Sequence, residues 1–145
     1  MAEENQGNLG RRAVLCGALA IVLGVTTDIA KASVPAVGWK QVGNKIRVSL
    51  EKNKVLANIG GAVTLSLATG ATIAVVRTSA DRQGYTALNL ACTHNGAVVV
   101  QQGASWICPA HGSQYANDGT ILRGPGWENL YKYPTSVREE WLTIG

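Results

Sequence analysis

Cys92-Thr93-His94 and Cys108-Pro109-Ala110-His111 each place a thiol beside an imidazole, and thirteen residues separate His94 from Cys108. Thiolates are soft anionic donors and neutral imidazoles borderline ones. Two of each suit a tetrahedral zinc ion or a [2Fe-2S] cluster with unlike irons. The alternation of Cys and His within each run favours the cluster, because zinc modules usually pair like ligands, as in C-x-x-C and H-x-x-x-H. The chain has only two histidines and three cysteines, and the third cysteine, Cys16, falls in an N-terminal stretch with the character of a targeting segment. No Cys or His is left over in the body as core filler or surface decoration. The competing readings are a Cys92–Cys108 disulfide beside two incidental histidines, a pair of inert buried thiols, and a zinc-stabilised binding module with no redox role.

The runs C-T-H-N-G and C-P-A-H-G-S-Q-Y resemble the two cluster-binding loops of Rieske iron–sulfur proteins, and Gly124-Pro125-Gly126 resembles the proline-containing third loop that covers the cluster in that family. The likeness spans residues from about 62 to 145. It implies one Rieske-type [2Fe-2S] cluster, with Cys92 and Cys108 on the inner iron and His94 and His111 on the outer one. Neutral imidazoles leave such a centre less negative than an all-thiolate cluster. Electrons are then easier to add, and the potential rises from about −400 mV to between about −150 and +300 mV. Ser113 and Tyr115 stand where high-potential members donate hydrogen bonds to a bridging sulfide and to a cysteine sulfur, here Cys92. Many members carry a disulfide joining the two loops. Those positions are Ala97 and Ala110 here, so the resemblance is to disulfide-free variants.

Gly10-Arg11-Arg12-Ala13-Val14-Leu15 opens a thirteen-residue apolar run ending at Val25, and Ala30-Lys31-Ala32 offers a small-residue cleavage pattern. This resembles a twin-arginine export signal, a route understood to carry folded proteins, as a cytoplasmically assembled cluster would require. The run is shorter than the roughly twenty apolar residues of a membrane span, and Asp28 and Lys31 interrupt a longer one. The expected location is the periplasm. The rival is an uncleaved anchor from Arg12 to about Val37, and Glu3 and Glu4 weaken the positive n-region that the signal reading needs. Expected partners are a c-type cytochrome or a periplasmic oxidoreductase. In the anchored alternative, the iron–sulfur subunit of a cytochrome bc-like complex, they are cytochrome b and quinol. No substrate chemistry is expected of the chain itself.

The elements that must position these loops read as strands. Polar and apolar residues alternate over 45–50 and 63–67; 73–77 and 85–90 are further short strands; 98–101 and 105–108 form a hairpin closed around Gly103 that links the two ligand loops. Stretches 120–122, 130–135 and 140–144 complete the set, with Pro134 near an edge. The fold class is all-β: a small antiparallel Rieske-type sandwich with a two-loop cluster-binding subdomain, preceded by a signal or anchor helix. The division is a signal segment at 1–32, a linker and first strand at 33–58, and the cluster domain at 59–145. Trp106, Trp127 and Trp141 read as core or as shields of the cluster. The formal charge of +4 suits an acidic docking partner, but Lys40, Lys45, Arg47, Lys52, Lys54 and Arg77 are dispersed, as on a solvated surface. Nucleic-acid binding has no support.

Overall fold

The computed structural model describes residues 32–145; the twin-arginine run, Cys16 and the expected signal or anchor helix lie outside them. Thirteen strands are described: β1 (Val34–Pro35), β2 (Trp39–Val42), β3 (Lys45–Ser49), β4 (Ala62–Ser66), β5 (Thr72–Arg77), β6 (Tyr85–Asn89), β7 (Val100–Gln102), β8 (Ser105–Ile107), β9 (Gln114–Ala116), β10 (Ile121–Arg123), β11 (Lys132–Tyr133), β12 (Thr135–Arg138) and β13 (Trp141–Ile144). They form three sheets, in the orders β1-β4-β5-β6-β11, β10-β9-β8-β7 and β12-β13-β3-β2. All pairings are antiparallel except the two-residue β1/β4 contact. Among the described residues no helix is long and apolar enough to cross a membrane.

The five-stranded sheet is the middle layer. Val63, Leu65, Ile73, Val75 and Ala87 face a core shared with Ile46, Val48, Val137, Leu142 and Ile144 of the third sheet. Their alternates Ala62, Ala74, Val76 and Leu88 face a second core with Trp106 and Tyr115 of the small sheet. A strand covered on both faces has no polar alternate, which is why β5 reads as the continuous run Ile73-Ala74-Val75-Val76. Each fully buried aliphatic side chain contributes about 1.5–3 kcal/mol of transfer free energy, so these two layers supply the rigidity on which the loops stand.

The stretch 33–58 departs from the linker expectation. β1 adds to the edge of the middle sheet, and β2 pairs with β3 over Trp39 to Val42. The buried Asn53 ties the link between β1 and β2 to the end of β3. Its amide donates to Val37 O at 2.7 Å and Ser49 O at 2.6 Å, and its Oδ1 accepts from Val37 N at 2.9 Å. The expected strand 130–135 divides at Pro134, which has no N–H to donate; the chain there passes from β11, an edge of the middle sheet, to β12, an edge of the third. The three tryptophans also separate: Trp106 is buried, Trp141 is half-buried on the third sheet, and Trp127 is 72% exposed, so it is not core.

Candidate metal centre

Both ligand loops hang from the layer built around the second core. The first follows β6 and is closed at its base by the Ala91–Val98 bridge and by Val99 N donating to Leu90 O at 2.8 Å. The second joins β8 to β9, and the hairpin β7-β8, turning at Gly103-Ala104, carries the chain between them.

The loops close in the same way. Cys92 N donates to Ala97 O at 2.8 Å and Gly96 N to Cys92 O at 2.8 Å; Cys108 N donates to Ser113 O at 2.8 Å and Gly112 N to Cys108 O at 2.9 Å. In each, the backbone of a cysteine is bonded to residues four and five places on, and the fourth is a glycine in the left-handed region, with φ of 81° at Gly96 and 76° at Gly112. A side chain there would add roughly 1–2 kcal/mol of strain. The signal was present in the sequence as a repeated C-x-x-x-G.

This closure turns the cysteines inward and the histidines outward. Cys92 is 3% exposed and Cys108 1%, whereas both imidazoles are exposed. The Cys108 thiol is among the groups that lower the Cys92 pKa, so the two buried thiols are close neighbours. The Nδ1 atoms of His94 and His111 lie 3.3 Å apart, with the rings edge-to-face at 83°. Asn95 Nδ2 stands 3.1 Å from His111 Nδ1, and a bond donated by the amide requires a lone pair on that nitrogen.

Ser113 and Tyr115, both fully buried, converge on the first loop's sulfur. Tyr115 Oη lies 3.5 Å from Cys92 Sγ. Ser113 Oγ accepts from Gly126 N at 2.8 Å, which leaves its own proton to stabilise the Cys92 thiolate. Burial pushes the Cys92 thiol up, but hydrogen bonds from Tyr115, the His94 backbone, Ser113 and Cys108 outweigh it and bring the pKa down to about 7. Burial and the bond to Cys92 hold the Tyr115 phenol above its ordinary value.

The loop at Gly124-Pro125-Gly126 lies over this pair. A Cβ on Gly126 would stand 2.5 Å from Tyr115 Oη, 2.9 Å from Thr93 Oγ1 and 3.3 Å from Ser113 Oγ, so only glycine fits that close approach. Thr93, which sequence reasoning did not single out beyond its place in the motif, ties the loops together. Its hydroxyl lies 2.9 Å from Tyr115 Oη and donates to Glu128 O at 3.0 Å, and its N–H donates to Tyr115 Oη at 3.1 Å.

All nine residues expected at the site thus lie in three adjoining loops and the strand that follows the second. Among the described residues no three Cys, His, Asp or Glu side chains are grouped to grip one metal ion. The donors instead form a buried sulfur pair and an exposed imidazole pair, a division that fits two unlike irons better than one tetrahedral ion.

Comparison with known proteins bears on the domain and its cofactor. Residues 40–134 match the profile of the Rieske [2Fe-2S] domain. The chain is 55% identical over 59 residues to the cytochrome b6-f complex iron-sulfur subunit of Trichodesmium erythraeum, a stretch covering 39% of this chain and 33% of that protein. It is 34% identical over 103 residues to cytochrome b6-f complex iron-sulfur subunit 1 of the Cyanophora paradoxa cyanelle, covering 68% of this chain and 41% of the relative. Among solved structures, the cyanobacterial plasma membrane Rieske protein PetC3 from Synechocystis PCC 6803 superposes with a TM-score of 0.52 at 28% identity, over 59% of this chain and 86% of that one. The chain therefore spans well under half the length of these two curated relatives.

Proposed function

The chain belongs to the Rieske [2Fe-2S] domain family, and from that premise we propose that it is an exported one-electron carrier in which Cys92 and Cys108 hold one iron of the cluster and His94 and His111 the other. The observation that carries this reading is the separation of the donors into a buried sulfur pair and an exposed imidazole pair on two identically closed loops. When bound, such a cluster takes up and returns a single electron at a potential raised by its neutral imidazole ligands.

The residues divide the remaining work. His94 and His111 present their rings to solvent, where they can meet a partner and exchange a proton. Tyr115 and Ser113 donate to the Cys92 sulfur and so favour the more negative, reduced state. Gly126, Ser113, Thr93 and the Glu128 carbonyl hold the third loop down. With Ala97 and Ala110 where a loop-to-loop disulfide would sit, these hydrogen bonds and the packing of Ala97 on the second core support a disulfide-free assembly.

Residues 1–32 act as a twin-arginine export signal in this proposal, the body from about 33 is the domain delivered to the periplasm, and the partner is a c-type cytochrome or a periplasmic oxidoreductase. The second reading, an anchored iron–sulfur subunit of a quinol-oxidising complex with cytochrome b, is favoured by the names of the cytochrome b6-f relatives. Stopped-flow mixing of the reduced protein with a ferric c-type cytochrome separates them. Rapid single-electron oxidation, by protein that purifies without cytochrome b, supports the carrier. Reduction only by quinol within a cytochrome b complex supports the second, and a colourless zinc protein removes both.

A further inference from the structure

Three of the basic residues that look scattered in the sequence, Lys40, Lys45 and Arg47, are gathered by the third sheet together with Arg138. Ile46, Val48, Val137, Leu142 and Ile144 point into the first core, so the two-residue strand period turns Lys40, Val42, Lys45, Arg47, Ser136, Arg138, Trp141 and Thr143 to the opposite face. Four of these are cations and none is an acid. The nearest acids in sequence, Glu51, Glu139 and Glu140, sit in turns at the strand ends.

This arrangement works against itself unless something anionic meets it. Lys40 and Arg47 are direct cross-strand partners, and like charges so placed repel. Trp141 relieves part of the repulsion: Lys40 Nζ lies 5.5 Å and Arg47 Cζ 4.8 Å from its ring centre. Among the described residues the ion pair is Lys132–Asp118, elsewhere on the molecule, so the four cations have no carboxylate of their own.

We infer that the outer face of the third sheet is a docking surface for an anionic lipid bilayer. Two observations select a bilayer over an acidic redox protein. First, the face is remote from the histidines. The middle sheet and both cores lie between the third sheet and the small sheet that bears the second ligand loop, and at about 10 Å per sheet layer a partner bound there is about 20 Å from the imidazoles. Second, the four cations are spread over three strands with no carboxylate among them, a distribution that a continuous anionic surface meets more fully than the single docking patch of a small acidic protein. A bilayer on this face leaves His94 and His111 pointing into the aqueous phase, toward a soluble acceptor. That orientation rests on the cluster assignment proposed above, whereas the surface itself does not.

The full chain, floated with vesicles of phosphatidylcholine alone and with 30% phosphatidylglycerol, tests this; phosphatidylcholine alone reports whatever the N-terminal apolar run contributes. Phosphatidylglycerol is expected to raise the bound fraction, and salt to abolish the increment as the Debye length shrinks. Each basic residue at an anionic surface is worth roughly five-fold in partition. Lys45→Gln with Arg138→Gln, which leaves the Trp141 stack intact, should therefore cut the increment by about tenfold or more, while Arg82→Gln with Arg123→Gln, an equal charge loss in the β5–β6 turn and on β10, should leave most of it. Equal losses from the two pairs, or no response to phosphatidylglycerol, overturn the inference. Both outcomes are independent of whether the cluster is bound, which is read separately from its visible spectrum.

Discussion

The two ligand loops share one backbone solution and differ in what hangs from it. Both tie a cysteine N–H and C=O to the residues five and four places on. The histidine is the third residue of the first loop and the fourth of the second. The first loop receives hydroxyls: Tyr115 and Ser113 both reach Cys92, and the third loop bonds Thr93. The second loop supplies them, since Ser113 closes it and Tyr115 follows two residues on. In the proposed reading the common part holds the ligands, and the unequal part, acting at the Cys92 sulfur, tunes how readily the cluster accepts an electron.

Removal of a ligand tests the common part most severely. Cys92→Ala and Cys108→Ala should each abolish the visible chromophore and bound iron, equally in the two loops; retention of the centre by either variant would break the equivalence. Gly126→Ala comes next, because its methyl meets Tyr115, Thr93 and Ser113 together. It should cost about 1–3 kcal/mol, read as a lower melting temperature and a lost spectrum on mild heating. Gly96→Ala and Gly112→Ala have no nearby atom to strike and differ from wild type only in backbone strain, so both should cost about 1–2 kcal/mol. A large difference between those two would show that the closures are not alike.

The unequal part is tested by Tyr115→Phe, which should lower the midpoint potential in film voltammetry by something on the order of 60 mV, or about one tenfold step for a single electron. The sulfur that Tyr115 reaches is that of Cys92, so an unchanged potential removes the hydroxyl from the account. The smallest effect is on the cluster-free chain. The Cys92 pKa is depressed in the folded state from 9.0 to about 7, so the stability it contributes is complete above about pH 9 and is lost as pH falls through about 7. Chemical denaturation of cluster-free protein between these values should show stability rising with pH, and Cys92→Ser should flatten the trend.

The chemistry of this molecule was more legible than its layering. Four rare donors in two short runs announce a centre by themselves, and the alternation at 45–50 and 63–67 gives strands close to β3 and β4. The middle sheet was harder to see because burial on both faces erases alternation in β5. β1 and β2 were lost for a different reason. Val34–Pro35 is too short to show a period, and its partners Val63 and Thr64 lie twenty-nine residues further along the chain. Thr93 escaped notice as a tie between loops because its partner Glu128 is thirty-five residues away, and the basic face because its members come from three strands. Local pattern shows what a residue is paired with along the chain; only the fold shows what it meets across it.

The most direct trial of the central claim is electron paramagnetic resonance of the reduced protein with electron–nuclear double resonance at nitrogen. Two directly bound imidazole nitrogens on a reduced [2Fe-2S] centre, with coupling to one of them lost in His94→Cys, is the result expected of paired sulfur and paired nitrogen ligands. A signal without nitrogen coupling, or a protein that holds zinc and gives no signal, would contradict it.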